Sequence, residues 1–135
     1  MPQKHNQKNK PEDPRELDAK IEFMEGLVRR DPEYVDALQL LGDHYTARGK
    51  FAEGLHVDEK LAQLEPENPV VFYNLACSYS LTEQFDRAIA ALEKALTLGY
   101  RDFAWLAKDP DMKKLRAQPA YDEIKKRISQ LKKSE

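Results

Sequence analysis

The sequence predicts an all-α fold of stacked antiparallel helix pairs, on three observations. Ala, Leu, Glu and Lys recur while glycine is held to 5 of 135 residues, a composition that favours helix over sheet. The stretch LLGDHYTARGKF (40–51) returns 34 residues later as NLACSYSLTEQF (74–85), with Leu41, Gly42, Tyr45 and Phe51 answered by Leu75, Ala76, Tyr79 and Phe85. Pro32 and Pro66 are also 34 apart, each after an acidic residue that closes an apolar-periodic stretch. Proline lacks an amide hydrogen, disfavours helix in the residue before it and sits easily in a first helical turn, so each period reads helix, turn, helix.

Residues 1–13, MPQKHNQKNKPED, have almost no apolar content and read as a disordered basic tail. Residues 14–34 hold a single helix in the register of a second helix without its own first helix. The first full period covers residues 35–68. Leu38, Leu41 and Tyr45 share one face there, Gly42 sets close helix contact, and Phe51, Leu55 and Leu61 make the stripe of the helix after the turn. Residues 69–102 repeat this with Phe72, Leu75 and Tyr79, with Ala76 in place of Gly42, and with Phe85, Ala88, Leu92 and Ala95. Residues 103–135 begin a degenerate third unit at FAWLAK, where Trp105 reads as an apolar plug. Asp109-Pro110 interrupts it, and Tyr121, Ile124, Ile128 and Leu131 then form a narrow stripe on a terminal helix. That stripe is read as a cap over the end of the stack; its 3, 4, 3 spacing would also serve a dimer seam.

The net charge is −2, with three lysines and no acid in residues 1–11 and eight Lys/Arg against four Asp/Glu in 111–135, so the body between the basic ends is acidic. An acidic body does not grip phosphates, and the basic ends lack interleaved stacking aromatics, so nucleic-acid binding is not predicted. No apolar run reaches the ~18 residues of a membrane span and the start lacks the apolar centre of a secretory signal, so no membrane partner is expected and a cytoplasmic location is read. One cysteine, Cys77, excludes an intramolecular disulfide.

Chemistry is sparsely signalled. Cys77 has no histidine in its own helix, and its counterpart one period earlier is Asp43, as expected of a variable position rather than of a nucleophile. His44 and His56, with Asp43 and Asp58, fit no recognised ligand spacing, and His5 belongs to the tail, so no metal and no cofactor are predicted. Without a phosphate loop, a paired acid-base signature or a nucleophile elbow, no catalytic residue is assigned and an enzyme is not expected.

LQLLGDHY and FYNLACSY, then FDRAIAALEKAL, then Pro32 and Pro66 together resemble the tetratricopeptide repeat, whose 34-residue unit runs W-x2-L-G-x2-Y, A-x3-F and P. The resemblance covers about residues 14–110. Gly54 stands where alanine is usual and Asp58 where a large apolar residue is usual, which marks the first unit's second helix as the weaker one. The ending, with its D-P-D-apolar-x2-L-R-x2-P-x-aromatic pattern, resembles capping extensions of bacterial members. The resemblance implies a right-handed superhelical stack, an α-solenoid whose first helices line a concave groove. Carried onto this chain, the groove positions are Asp36, Gln39, Asp43 and Thr46, then Tyr73, Asn74, Cys77, Ser80 and Leu81, with Lys108 from the partial third unit. Cys77 is placed on the groove face, as Asp43 is. Of the family's carboxylate clamp only Asn74 and Lys108 stand at comparable places, so binding of chaperone tails is not expected. The implied function is a non-enzymatic interaction adapter that takes a peptide or helical segment of a protein partner. The alternative is a self-assembling subunit, a homo-oligomer joined through the groove or the terminal helix.

Overall fold

The computed structural model describes residues 12–134, and every regular element among them is helical. They divide into two units, one running to Pro66 and the other starting at Glu67.

The first unit holds α1 (Pro14–Arg30), α2 (Val35–Ala47) and α3 (Phe51–Leu64). Glu12 and Asp13, at the end of the expected tail, precede α1, and Asp13 is its N-cap. The Asp13 carboxylate accepts the Arg15 amide at 2.8 Å, with proline in the first turn behind it, and Lys20 donates to Glu12 at 2.8 Å. The remainder of that tail lies outside the described residues. Leu17, Ile21 and Met24 form the buried stripe of α1. Opposite it α2 buries Ala37, Leu38, Leu41, Gly42 and Tyr45. Two longer links tie these helices: Tyr45 donates its hydroxyl to Glu25 at 2.5 Å, and Arg48 pairs with Asp18 at 2.9 Å. Burial and the Glu25 carboxylate both push the Tyr45 phenol well above its usual range.

Gly49, at φ 84°, turns the chain from α2 into α3, the left-handed conformation that glycine adopts without a Cβ penalty. The two glycines of this pair lie where α2 packs closely on α3. A Cβ on Gly42 would stand 3.2 Å from Asp58 Oδ1 and 3.4 Å from Val57 Cγ1, and one on Gly54 3.1 Å from Thr46 Oγ1. Asp58, where the repeat pattern calls for an apolar residue, is buried in this contact.

The second unit contains α4 (Pro69–Leu81), α5 (Phe85–Thr97), the short helix α6 (Phe103–Leu106), a 3-10 turn (Pro110–Met112), α7 (Lys113–Arg116) and α8 (Tyr121–Ser134). Asn68 caps α4 by accepting the Val70 amide at 3.0 Å. Val71, Leu75 and Ala76 of α4 meet Ala88, Leu92, Ala95 and Leu96 of α5 in a core from which solvent is nearly excluded. Trp105, Leu106, Met112 and Leu115 extend that core, as expected of an apolar plug at Trp105. Tyr121 and Ile124 of α8 are buried, and Arg127 reaches Glu93 and Thr97 of α5, so α8 lies on the second unit through the first half of its stripe. Ile128 and Leu131 are half-buried.

Phe51, Phe85 and Tyr79, read from the register as interior, are half-buried. The physical reason is position along the helix. Phe51 and Phe85 are the first residues of α3 and α5, and Tyr79 stands in the last turn of α4, so each ring lies at the margin of its pair.

Candidate interaction surface

In the first unit the positions between the packing residues of α2 are exposed or half-buried. Asp36 is exposed, Gln39, Asp43 and Thr46 are half-buried, and Leu40 beside them is 46% exposed. Thr46 turns its hydroxyl back to the Gly42 carbonyl at 3.1 Å, an intrahelical bond, and the same oxygen lies beside Gly54 of α3. The half-buried His44 has its pKa lowered, first by burial and then by the Lys20 ammonium, against the opposite pull of Asp43 and Glu12. This helix thus presents an acidic, mixed-polarity stripe with one large apolar residue in it.

The corresponding helix of the second unit is arranged differently. Asn74 and Leu81 are half-buried, but Tyr73, Cys77 and Ser80 are buried. Cys77, expected on the groove face, is buried. What covers it is the chain's own segment around Asp109. Tyr73 donates its hydroxyl to Asp109 Oδ2 at 2.6 Å, and the Cys77 thiol points to the same oxygen at 3.7 Å. Tyr100, at the place where the repeat register expects a third proline, stacks on Tyr73 with ring centroids 4.2 Å apart and planes 7° from parallel. Burial, with Cys77 and Asp109 alongside, pushes the Tyr73 phenol far above its usual range, so it remains a hydrogen-bond donor. Ser80 Oγ has no hydrogen-bond partner among the described residues. Lys108 is exposed, one residue before the buried Asp109.

Asp109 is the residue that sequence reasoning passed over. It is fully buried, caps the 3-10 turn by accepting the Asp111 amide at 2.9 Å, and is held from behind by Arg116, which donates to the carbonyls of Leu106 and Asp109 at 2.9 and 2.8 Å. The signal was available in the ending's own pattern, where Asp109 and Arg116 are the polar residues bracketing Met112 and Leu115.

Among the described residues no group of three or more His, Cys, Asp or Glu side chains is gathered as a metal site, and no helix is long and apolar enough to cross a membrane. His5 lies outside the described residues.

Residues 70–98 match the family model of the tetratricopeptide repeat. The chain is 35% identical over 92 residues to a chloroplastic protein of Arabidopsis thaliana, a match covering 66% of this chain and 28% of that protein. It is 34% identical over 90 residues to a peroxisomal targeting signal receptor of Komagataella phaffii, covering 65% of this chain and 16% of the receptor. A receptor of the same name from Candida albicans is 38% identical over 77 residues, covering 56% and 13%. The chain therefore spans less than a third of the length of these relatives. The 34-residue register, the helix pairs built on it and the matched unit agree: residues 70–98 are a tetratricopeptide repeat.

Proposed function

We propose that the chain is a non-enzymatic interaction adapter that binds a peptide or helical segment of a protein partner, with residues 35–68 and 69–102 as its repeat units. The observation that carries this reading is the partly exposed stripe of α2. Asp36, Gln39 and Asp43 stand between the buried Leu38, Leu41 and Tyr45, with Leu40 46% exposed among them. A stripe that mixes acid, amide and apolar contact can hold an extended or helical segment by hydrogen bonds, charge and burial together. Similarity to a peroxisomal targeting signal receptor supports recognition of a protein segment as the kind of task. We read the chain as acting in the cytoplasm. On the second unit we assign ligand contact to Asn74, Leu81 and Lys108, whose side chains are at least partly accessible.

Selection of a displayed peptide library on the immobilised chain tests the reading. Selected peptides should bind the wild type and lose about tenfold or more in affinity on Asp36→Lys with Asp43→Lys, the loss expected when paired charges become repulsive. A selection that yields no peptide, or peptides indifferent to these substitutions and to Asn74→Ala, refutes it.

A further inference from the structure

We propose that residues 103–116 form a strap that lifts from α4 as a unit while the α4–α5 pair stays folded, and that Asp109, seated against Tyr73 and Cys77, is its latch.

The strap and the pair beneath it are built differently. Helices α4 and α5 are 13 residues each, long enough for a continuous ladder of backbone bonds. The strap consists of two four-residue helices and a three-residue 3-10 turn, held by capping bonds from Asp102 to Trp105 and from Asp109 to Asp111. Elements this short have no stability of their own and depend on docking. The docked face is not uniformly apolar. Trp105, Leu106, Met112 and Leu115 are buried there, but so is the Asp109 carboxylate, which accepts the Tyr73 hydroxyl at 2.6 Å. A buried carboxylate is tolerated only while its donors remain in place, so this contact is satisfied as a whole or lost as a whole. That is the behaviour of a latch. The strap is also anchored at both ends by parts of the second unit that need not move with it. Arg101 donates to the carbonyls of Leu96 and Tyr100 at 2.9 Å each, and beyond the strap α8 is fixed by the buried Tyr121 and Ile124 and by the Arg127–Glu93 pair.

With the strap closed, Tyr73 and Cys77 are withheld from any partner. With it open they join Asn74 and Leu81 on one surface, and the second unit gains a recognition face. This consequence for binding rests on the adapter reading; the opening itself does not, and the experiment reads the opening alone.

Cys77 is the one cysteine of the sequence and is buried, so its thiol reports the strap directly. The rate at which the full chain reacts with an aromatic disulfide reagent is measured over increasing urea, beside the loss of helix by circular dichroism. An opening confined to the strap exposes less surface than global unfolding, so labelling should depend on urea more weakly than global unfolding does. Asp109→Ala and Tyr73→Phe should speed labelling about 10- to 100-fold, the change expected when a hydrogen bond to a charged group is lost, with helix content unchanged. Should Asp109→Ala fail to fold, Asp109→Asn and the urea dependence of the wild type decide the matter. Labelling that tracks global unfolding in the wild type, or that is indifferent to both latch substitutions, overturns the proposal.

Discussion

In the first unit α2 and α3 meet across Gly42, Gly54 and the buried Asp58, whereas at the places 34 residues later α4 and α5 meet across Ala76, Ala88 and Leu92, none of them solvent-exposed. The skeleton is shared and the filling is not. Glycine within a helix costs about 0.8–1 kcal/mol relative to alanine, and the first pair carries two at its contact, with a carboxylate where the second has leucine. Both glycines sit at close contacts: an added Cβ would stand 3.2 Å from Asp58 Oδ1 at Gly42 and 3.1 Å from Thr46 Oγ1 at Gly54, so those side chains would have to give way by a few tenths of an ångström. The comparison teaches that one repeat pattern can be satisfied by close backbone approach in one pair and by side-chain packing in the other.

The largest effect that could break this comparison lies in the second pair. Leu92 has no solvent exposure, so Leu92→Ala removes a buried isobutyl group and leaves a cavity, at a cost of about 2–5 kcal/mol. Urea titration followed by circular dichroism measures it. A cost under about 1 kcal/mol would mean that side-chain packing does not hold α4 on α5.

A smaller contrast lies in the turns. The residue that must take a left-handed conformation is Gly49 in the first unit, at φ 84°, and Glu83 in the second, at φ 60°. Glycine reaches that region freely and an L side chain does not, so Gly49→Ala should cost about 1–2 kcal/mol. Glu83→Gly should instead raise the midpoint of thermal unfolding. Glu83 does pair with Lys114 at 2.8 Å, but both side chains are more than 60% exposed, and an ion pair so solvated adds little. A lowered midpoint for Glu83→Gly would show that the pair outweighs the backbone strain.

What could be read in the sequence follows the same division. The interior positions of the helix pairs were legible because Leu41, Tyr45 and Leu75 recur at helical spacing and at the 34-residue interval, and local periodicity is what a packed helix imposes on a sequence. The departures at Gly54 and Asp58 were visible too, as breaks in the pattern, although that Asp58 would be buried was not. The fate of Tyr73, Cys77 and Ser80 was not legible. For Tyr73 and Cys77 it depends on Asp109, 32 residues beyond Cys77, in a segment of short capped turns that has no period to reveal its partner. Assigning those three residues by analogy with Asp36, Gln39 and Asp43 assumed that both units present the same face. In the first unit that face is partly exposed, and in the second the strap lies on it.

The smallest predicted effect is one that only the first unit can show. His44 stands at the place taken by the buried Ser78 one period later. Its pKa is lowered in the folded chain, chiefly because burial disfavours the imidazolium and secondarily because Lys20 repels it. The unfolded chain restores the ordinary value near 6.5, so below that pH the unfolded state binds the proton more readily than the folded one. The stability contributed by neutral His44 is therefore fully present above about pH 6.5 and is lost as pH falls through the lowered folded value. His44→Ser, which installs the second unit's residue, should flatten the fall in stability that begins below about pH 6.5, leaving the steeper loss at carboxylate pH unchanged. Urea midpoints for both proteins across this range make the comparison. Parallel curves would mean that burial of His44 places no demand on its protonation, and that at this position the two units differ in side chain without differing in chemistry.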